Sequence, residues 1–180
     1  MKRYAAYLRY ILRHKWYVFD ACLALGVPLR LALFHDLSKF RPREFVPYAR
    51  QFFGSDGKPV KVRDASGAYN PLAQPTAFLG AWLNHQRNKH HWQAWCVIGD
   101  AGRLSPLPMP EDYVREMVAD WCGAGRAING RVDVEEFWIA NGTKMVLHRT
   151  TRALVAILVI EGQAYYAQRG LGRNPRWQAS

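Results

Sequence analysis

Acidic side chains are scarce in this 180-residue chain, where 14 Asp and Glu face 25 Lys and Arg for a net charge of +11. That imbalance excludes a polycationic partner and points to an anionic one: nucleic acid, a nucleotide or an acidic surface. Cysteine is scarcer. Cys22, Cys96 and Cys122 are odd in number and far apart, which fits neither a disulfide framework nor a paired-cysteine zinc site. They read as small buried hydrophobes in a reducing, cytoplasmic setting. No apolar run approaches the ~20 residues that cross a bilayer, and the longest, Ala153 to Ile160, reads as a buried helical segment, so no membrane insertion is expected. The first residues interleave basic with apolar side chains, unlike a signal peptide. A Gly-rich phosphate loop and a Ser-His-Asp order are also missing.

What is present is an ordinary globular composition, 49% hydrophobic and 22% charged, long enough for one domain with its own core. Apolar residues at Tyr7, Ile11, Val18, Cys22 and Leu25 recur at three-and-four spacing, and His14 falls on the same stripe. The spacing predicts a helix to Gly26 and, after Pro28, a second one carrying "LRLALFHDLSKF". Further helices are expected over "REFVPYARQFF", where Pro47 permits a kink or a late start, and over "TAFLGAWLNHQ", followed by a helical turn or two in "HHWQAWCVI". "DAGRLSPLPMP" reads as loop, "EDYVREMVADWCGAG" and "VDVEEFW" as helices, and Thr143 as the cap of a last long helix. Residues 55 to 75 hold dense turn chemistry and read as a long loop, with a short strand pair around 58 to 69 as the lesser alternative. The expected fold is all-α: a single compact domain of about six to eight helices over residues 1–168, with a loose basic tail over 169–180.

The chemistry-bearing residues are histidines. His35 and Asp36 are adjacent at a helix end, where both side chains can be aimed into one cleft, and imidazole with carboxylate suits a divalent metal. His14, one helix earlier, and Asp120, beside the apolar Met117 and Trp121, would complete one site. His85, His90 and His91 would form a second, with Asp36 as a bridge; two ions about 3.5–4 Å apart would polarise a phosphoryl oxygen and hold a bridging hydroxide for in-line attack. Glu116, four residues before Asp120, is a candidate base or orienting group, and Glu44 a candidate hydrogen-bond partner for a metal-bound imidazole. Asn84 and Asn88 flank His85 as polar pocket residues, and His148 reads as surface. Trp82, Trp92, Trp95 and Trp121 read as core, with base stacking as the alternative.

The order His, His-Asp, further histidines and a distant Asp resembles the HD-domain superfamily of metal-dependent phosphohydrolases, and "HDLSK" is similar to the His-Asp-x-x-Lys signature of its phosphodiesterase branches. The resemblance implies a helical domain in which His14, His35, Asp36 and Asp120 are core metal ligands, and His85, His90 and His91 hold a second ion. Lys39 would then steady the site or face a phosphate. The Gly-Tyr-Pro element of one branch is absent. The whole chain also resembles an uncharacterised family of small phage and bacterial proteins, through "YLRYILRHKWYVF", "HDLSKFRPREFVPYA" and "MPEDYVREMVADW", which carries no activity over and would make the setting a host cytoplasm if the protein is phage-encoded.

The expected function is hydrolysis of a nucleotide or nucleic-acid phosphate ester, with one or two divalent transition metals (Mn, Fe, Zn, Co or Ni), Lys39 and Glu116 as catalytic residues and an anionic phosphate-containing substrate. Two alternatives stand beside it. One is a basic nucleic-acid- or protein-binding accessory protein of phage type with structural histidines, whose binding would survive chelation and fall with salt. The other is an HD-type di-iron oxygenase, marked by oxygen consumption.

Overall fold

The computed structural model describes residues 1–62 and 74–173. Among the described residues the protein is all-α apart from one small hairpin. Its helices are α1 (Lys2–Ala24), α2 (Leu29–Phe34), α3 (Pro42–Phe52), α4 (Thr76–His85), α5 (Glu111–Asn129), α6 (Val134–Asn141) and α7 (Arg149–Ala167). Short 3₁₀ turns follow at Leu37–Phe40, Trp92–Trp95 and Gly142–Lys144. Among the described residues no helix is long and apolar enough to cross a membrane.

The chain divides into two compact units, the first comprising Met1–Arg13 with Asp36–Asn88 and the second His14–His35 with Lys89–Ser180. In the first unit an aromatic-rich core gathers Tyr7, Ile11, Tyr48, Ala49, Phe78 and Ala81, with Phe45, Phe52 and Trp82 packed around them. Some of its rings meet edge to face, as at Tyr7 and Phe45 (centroids 5.0 Å apart) and Phe52 and Phe78 (5.6 Å), an arrangement that ring quadrupoles favour, while Tyr4 and Phe45 stack. Pro42 occupies the first turn of α3, where its missing N–H would have been unsatisfied anyway, and Arg41 before it is extended. The helix continues past Pro47 to Phe52. The strand pair considered around 58 to 69 lies partly outside the described residues; within them Phe53 and Pro59 form a single antiparallel bridge.

In the second unit, α5 presents Val114, Met117, Val118 and Cys122 along one buried face, and α7 answers with Val155, Leu158 and Val159. One small residue lets two helices close on one another. A Cβ at Gly123 of α5 would come within 2.5 Å of Val18 Cγ2 and 2.6 Å of the Val18 backbone nitrogen, so the close approach to α1 requires glycine there. Gly130, at φ 76°, ends α5 in the left-handed conformation open to glycine.

Four sequence expectations are corrected. Helix α2 stops at Phe34 instead of carrying through His35 and Asp36: His35 is extended, Asp36 is left-handed at φ 55°, and only a 3₁₀ turn follows. Residues Cys96–Ile98, expected as helical, pair antiparallel with Leu104–Pro106 inside the expected loop, because a three-residue strand is too short to show a period. Thr143 does not cap the last helix; His148 does, its ring nitrogen accepting from the Thr150 N–H at 3.3 Å. The described start of the expected loose tail is tied down, since the Val132 N–H donates to the Leu171 carbonyl at 2.7 Å and Gln163 Nε2 to the Arg173 carbonyl at 2.7 Å. Residues 174–180 lie outside the described part.

Candidate metal centre

His14 lies on the buried stripe of α1, and Asp120 and Glu116 share a face of α5 one turn apart. His35 follows the end of α2, where Lys15 fixes the backbone by donating to the carbonyls of Leu33 (2.7 Å) and His35 (2.8 Å). The two α5 carboxylates grip His35 from both sides. Glu116 Oε1 accepts from Nδ1 at 3.0 Å, and Asp120 Oδ1 lies 3.4 Å from Nε2. His14 Nε2 reaches the same Asp120 oxygen at 3.2 Å. Thus His14, His35 and Asp120 each offer one atom to a common point within 4.8 Å of one another.

These distances bear on what belongs between the atoms. A direct charge-assisted N–H···O⁻ bond is about 2.7–2.9 Å long. Two ligand atoms bound at about 2.0–2.2 Å to one ion stand roughly 2.8–3.6 Å apart in octahedral or tetrahedral arrangement. The observed 3.2 and 3.4 Å fall in the second range. With Nδ1 of His35 donating its proton to Glu116, the neutral ring turns an Nε2 lone pair toward a carboxylate oxygen, a contact made favourable only by a cation or a proton between them. The donor set therefore fits a metal ion.

Burial sharpens this. His14 and His35 are 3% and 2% exposed, so their polar atoms have been taken from water and need a charged or hydrogen-bonding partner in exchange. With no ion between them, burial pushes the Asp120 carboxyl up, but the hydrogen bonds and charge attraction of His14 and His35 outweigh it and hold that group well below the usual carboxylate range. The same opposition acts on Glu116, where His35 and His90 prevail over burial and lower it. His90 Nδ1 donates to Glu116 Oε1 at 3.3 Å, its ring centroid is 4.4 Å from that of His35, and the half-buried His91 ring is 4.3 Å from His90. His35, His90 and Glu116 can hold an ion by the same criterion.

The first unit repeats the design. Asp36 opens it in a left-handed conformation that costs a non-glycine residue energy and is stored where surroundings over-determine it. His85, at the end of α4, places Nε2 3.6 Å from Asp36 Oδ1 while Nδ1 faces Glu44 Oε2 at 3.2 Å. Glu44 is further held by Ser38 Oγ at 2.9 Å and by the Asn84 amide, and Asn88 donates to Ser38 Oγ at 3.1 Å. Burial raises the Glu44 carboxyl, yet His85, Ser38 and Asn84 together leave it below its ordinary value. Lys39 forms an ion pair with Asp36 Oδ2.

Of the expected site residues, the structure thus brings His14, His35 and Asp120 to one point, sets His90 and His91 beside His35 and Glu116, and brings Asp36, Lys39 and His85 together in the other unit. Each of His35, His85 and His90 has its Nδ1 on a buried glutamate, the partner that leaves Nε2 for a metal. The sequence reading missed Lys15 as the backbone anchor, although its place next to His14 was a signal, and Ser38 as a brace for Glu44. The four tryptophans near the histidines pack against the two cores: Trp82 in the first unit, Trp92, Trp95 and Trp121 in the second.

The chain belongs to a family of unknown function (DUF5662), which matches residues 3–159. No curated protein and no solved structure matches it.

Proposed function

We propose that the protein is a metal-dependent hydrolase of phosphate esters, acting on a nucleotide or nucleic-acid phosphate. The observation that carries this reading is the convergence of His14 Nε2, His35 Nε2 and Asp120 Oδ1 at the spacing of metal ligands. A divalent transition ion bound there would supply Lewis-acid stabilisation of a phosphoryl oxygen and make a water acidic enough to serve as nucleophile at neutral pH.

The chain's own residues have separable tasks. Glu116 keeps the Nδ1 proton on His35 and His90, so each ring presents Nε2 as a lone pair. Its depressed carboxyl stays ionised in that role, which makes it a positioning residue, the orienting one of the two roles read from the sequence. Asp120 supplies the negative charge that draws a cation to the neutral rings. In the first unit Asp36 and His85, the latter held by Glu44, are the ligands for a second ion, and Lys39 supplies a positive charge for a phosphate at that set.

The test joins metal content with turnover. Purified protein is analysed for transition metals and assayed for phosphate release from a panel of nucleotides and oligonucleotides, alongside Asp36→Ala and Asp120→Asn. Stoichiometric metal with turnover that both variants abolish supports the reading. Protein without bound metal, or with activity indifferent to both substitutions, refutes it.

A further inference from the structure

The positive charge of this chain is unevenly placed. Twelve of its 25 Lys and Arg but only four of its 14 Asp and Glu fall in the first unit, which therefore carries eight of the eleven net positive charges. Two of those four acids, Asp36 and Glu44, are buried in the cluster around His85. On its surface, among the described residues, nine exposed Lys and Arg face a single exposed acid, Asp56. Among the described residues none of the nine is in an ion pair. In the second unit some arginines are matched locally, as Arg115 with Glu111, Arg126 with Asp20 and Arg131 with Asp133, while others, such as Arg103 and Arg149, stand exposed.

The exposed charges are also ordered. On α1, Lys2, Arg9 and Arg13 stand seven and eleven residues along, nearly two and three whole turns, and so share one side of the helix. On α3, Arg43 and Arg50 repeat the seven-residue step. Arg41 directly follows the 3₁₀ turn that carries Lys39, and Arg87 is two residues beyond His85, so the basic surface continues to the chain segments that bear the polar cluster. Six of the nine are arginine, whose planar fork matches a phosphodiester in two parallel hydrogen bonds.

We propose that the first unit is a phosphodiester-backbone binding surface and that the partner of this protein is a nucleic acid strand rather than a free mononucleotide. Rows of uncompensated cations at helical repeats suit a polymer of evenly spaced phosphates, whereas one nucleotide engages only two or three of them. An anionic membrane is the weaker occupant, because among the described residues the large exposed apolar side chains of this unit include no aromatic ring, the anchor interfacial helices use. The inference deepens the hydrolase reading by naming its substrate class, but binding itself does not depend on catalysis.

The test is fluorescence anisotropy of the full chain, in EDTA, with a labelled mixed-sequence DNA duplex and with one of its single strands. AMP serves as competitor and vesicles of phosphatidylcholine with phosphatidylglycerol as the rival surface. At ~100 mM salt an oligonucleotide should bind, AMP should not displace it, and affinity should fall linearly on a logarithmic salt scale. Arg9→Glu with Arg13→Glu should weaken binding at least about tenfold and lower the salt slope by about two, and Arg43→Glu with Arg50→Glu should act alike. The exposed pair Arg103→Glu with Arg149→Glu, in the second unit, should change it little. Unchanged melting certifies that each variant folds, and two independent pairs guard against one that does not. The inference is overturned if neither oligonucleotide binds, if vesicles are preferred, or if the second-unit pair weakens binding as much as the first-unit pairs. A protein that binds DNA but releases no phosphate from any substrate contradicts only the hydrolase reading; one that hydrolyses mononucleotides without retaining an oligonucleotide contradicts only this one.

Discussion

Glu116 Oε1 accepts from Nδ1 of His35 at 3.0 Å, and one turn along the same helix Asp120 faces the other nitrogen of that ring. A single face of α5 thereby sets the tautomer, the orientation and the partner of one imidazole. Replacing Glu116 with Gln keeps the shape but removes the ionised acceptor. Metal affinity should fall 10- to 100-fold, the usual cost of losing such a partner. Isothermal titration of Zn²⁺ or Mn²⁺ into metal-free wild type and Glu116→Gln checks it, and equal affinities would remove Glu116 from the site.

Gly123 touches Val18 one turn beyond the pair formed by Asp120 and His14, so the close approach of α5 to α1 also sets the ligand spacing. Gly123→Ala places a Cβ against backbone that cannot give. Overpacking of this kind costs about 1–3 kcal/mol, sometimes more. Urea unfolding should show that loss, and metal affinity should fall in the same protein although no ligand has changed.

Asp36 is the only described non-glycine residue with a positive φ, at 55°. Asp36→Gly removes the carboxylate and relieves the backbone, whereas Asp36→Ala removes the same carboxylate and keeps the strain. Both should lack the Lys39 ion pair, yet Ala should be less stable than Gly by about 1 kcal/mol, the size of the left-handed penalty for a Cβ. Denaturant melts of the two variants measure the difference directly. Equal stability would mean that the turn at His35 and Asp36 is not left-handed.

Glu44, Glu116 and Asp120 are each held below the ordinary carboxylate range in the folded state. Carboxyls depressed by folding contribute stability that is fully present above their unfolded values, about 4, and lost as pH falls through the lower folded values. Metal-free protein in EDTA should therefore keep its unfolding free energy down to about pH 5 and lose it progressively below that. Glu44→Gln and Glu116→Gln should each flatten the acid limb, as urea melts from pH 3 to 7 would record. An unchanged limb in both variants would contradict the assignment.

Much of this was legible in the sequence for a physical reason: helical periodicity is written over many residues, and His14, Glu116 and Asp120 inherit their faces from it. What was illegible was local and short. The break after Phe34 depends on one left-handed residue, the Cys96–Ile98 strand on three residues, and the His148 cap on one ring nitrogen. No composition or period encodes such features. Glu44 was readable only as a candidate, because its worth lies in reaching His85, 41 positions away in sequence and 3.2 Å away in space. The grouping of charge on the first unit was likewise hidden, since that unit is assembled from two separate stretches of chain.

Crystals soaked in Mn²⁺ and measured with anomalous scattering give the most direct check on the metal centre. A peak is predicted about 2.0–2.3 Å from His14 Nε2, His35 Nε2 and Asp120 Oδ1, lost in Asp120→Asn crystals. Clean density with direct hydrogen bonds among those atoms, and no peak after soaking, would contradict it.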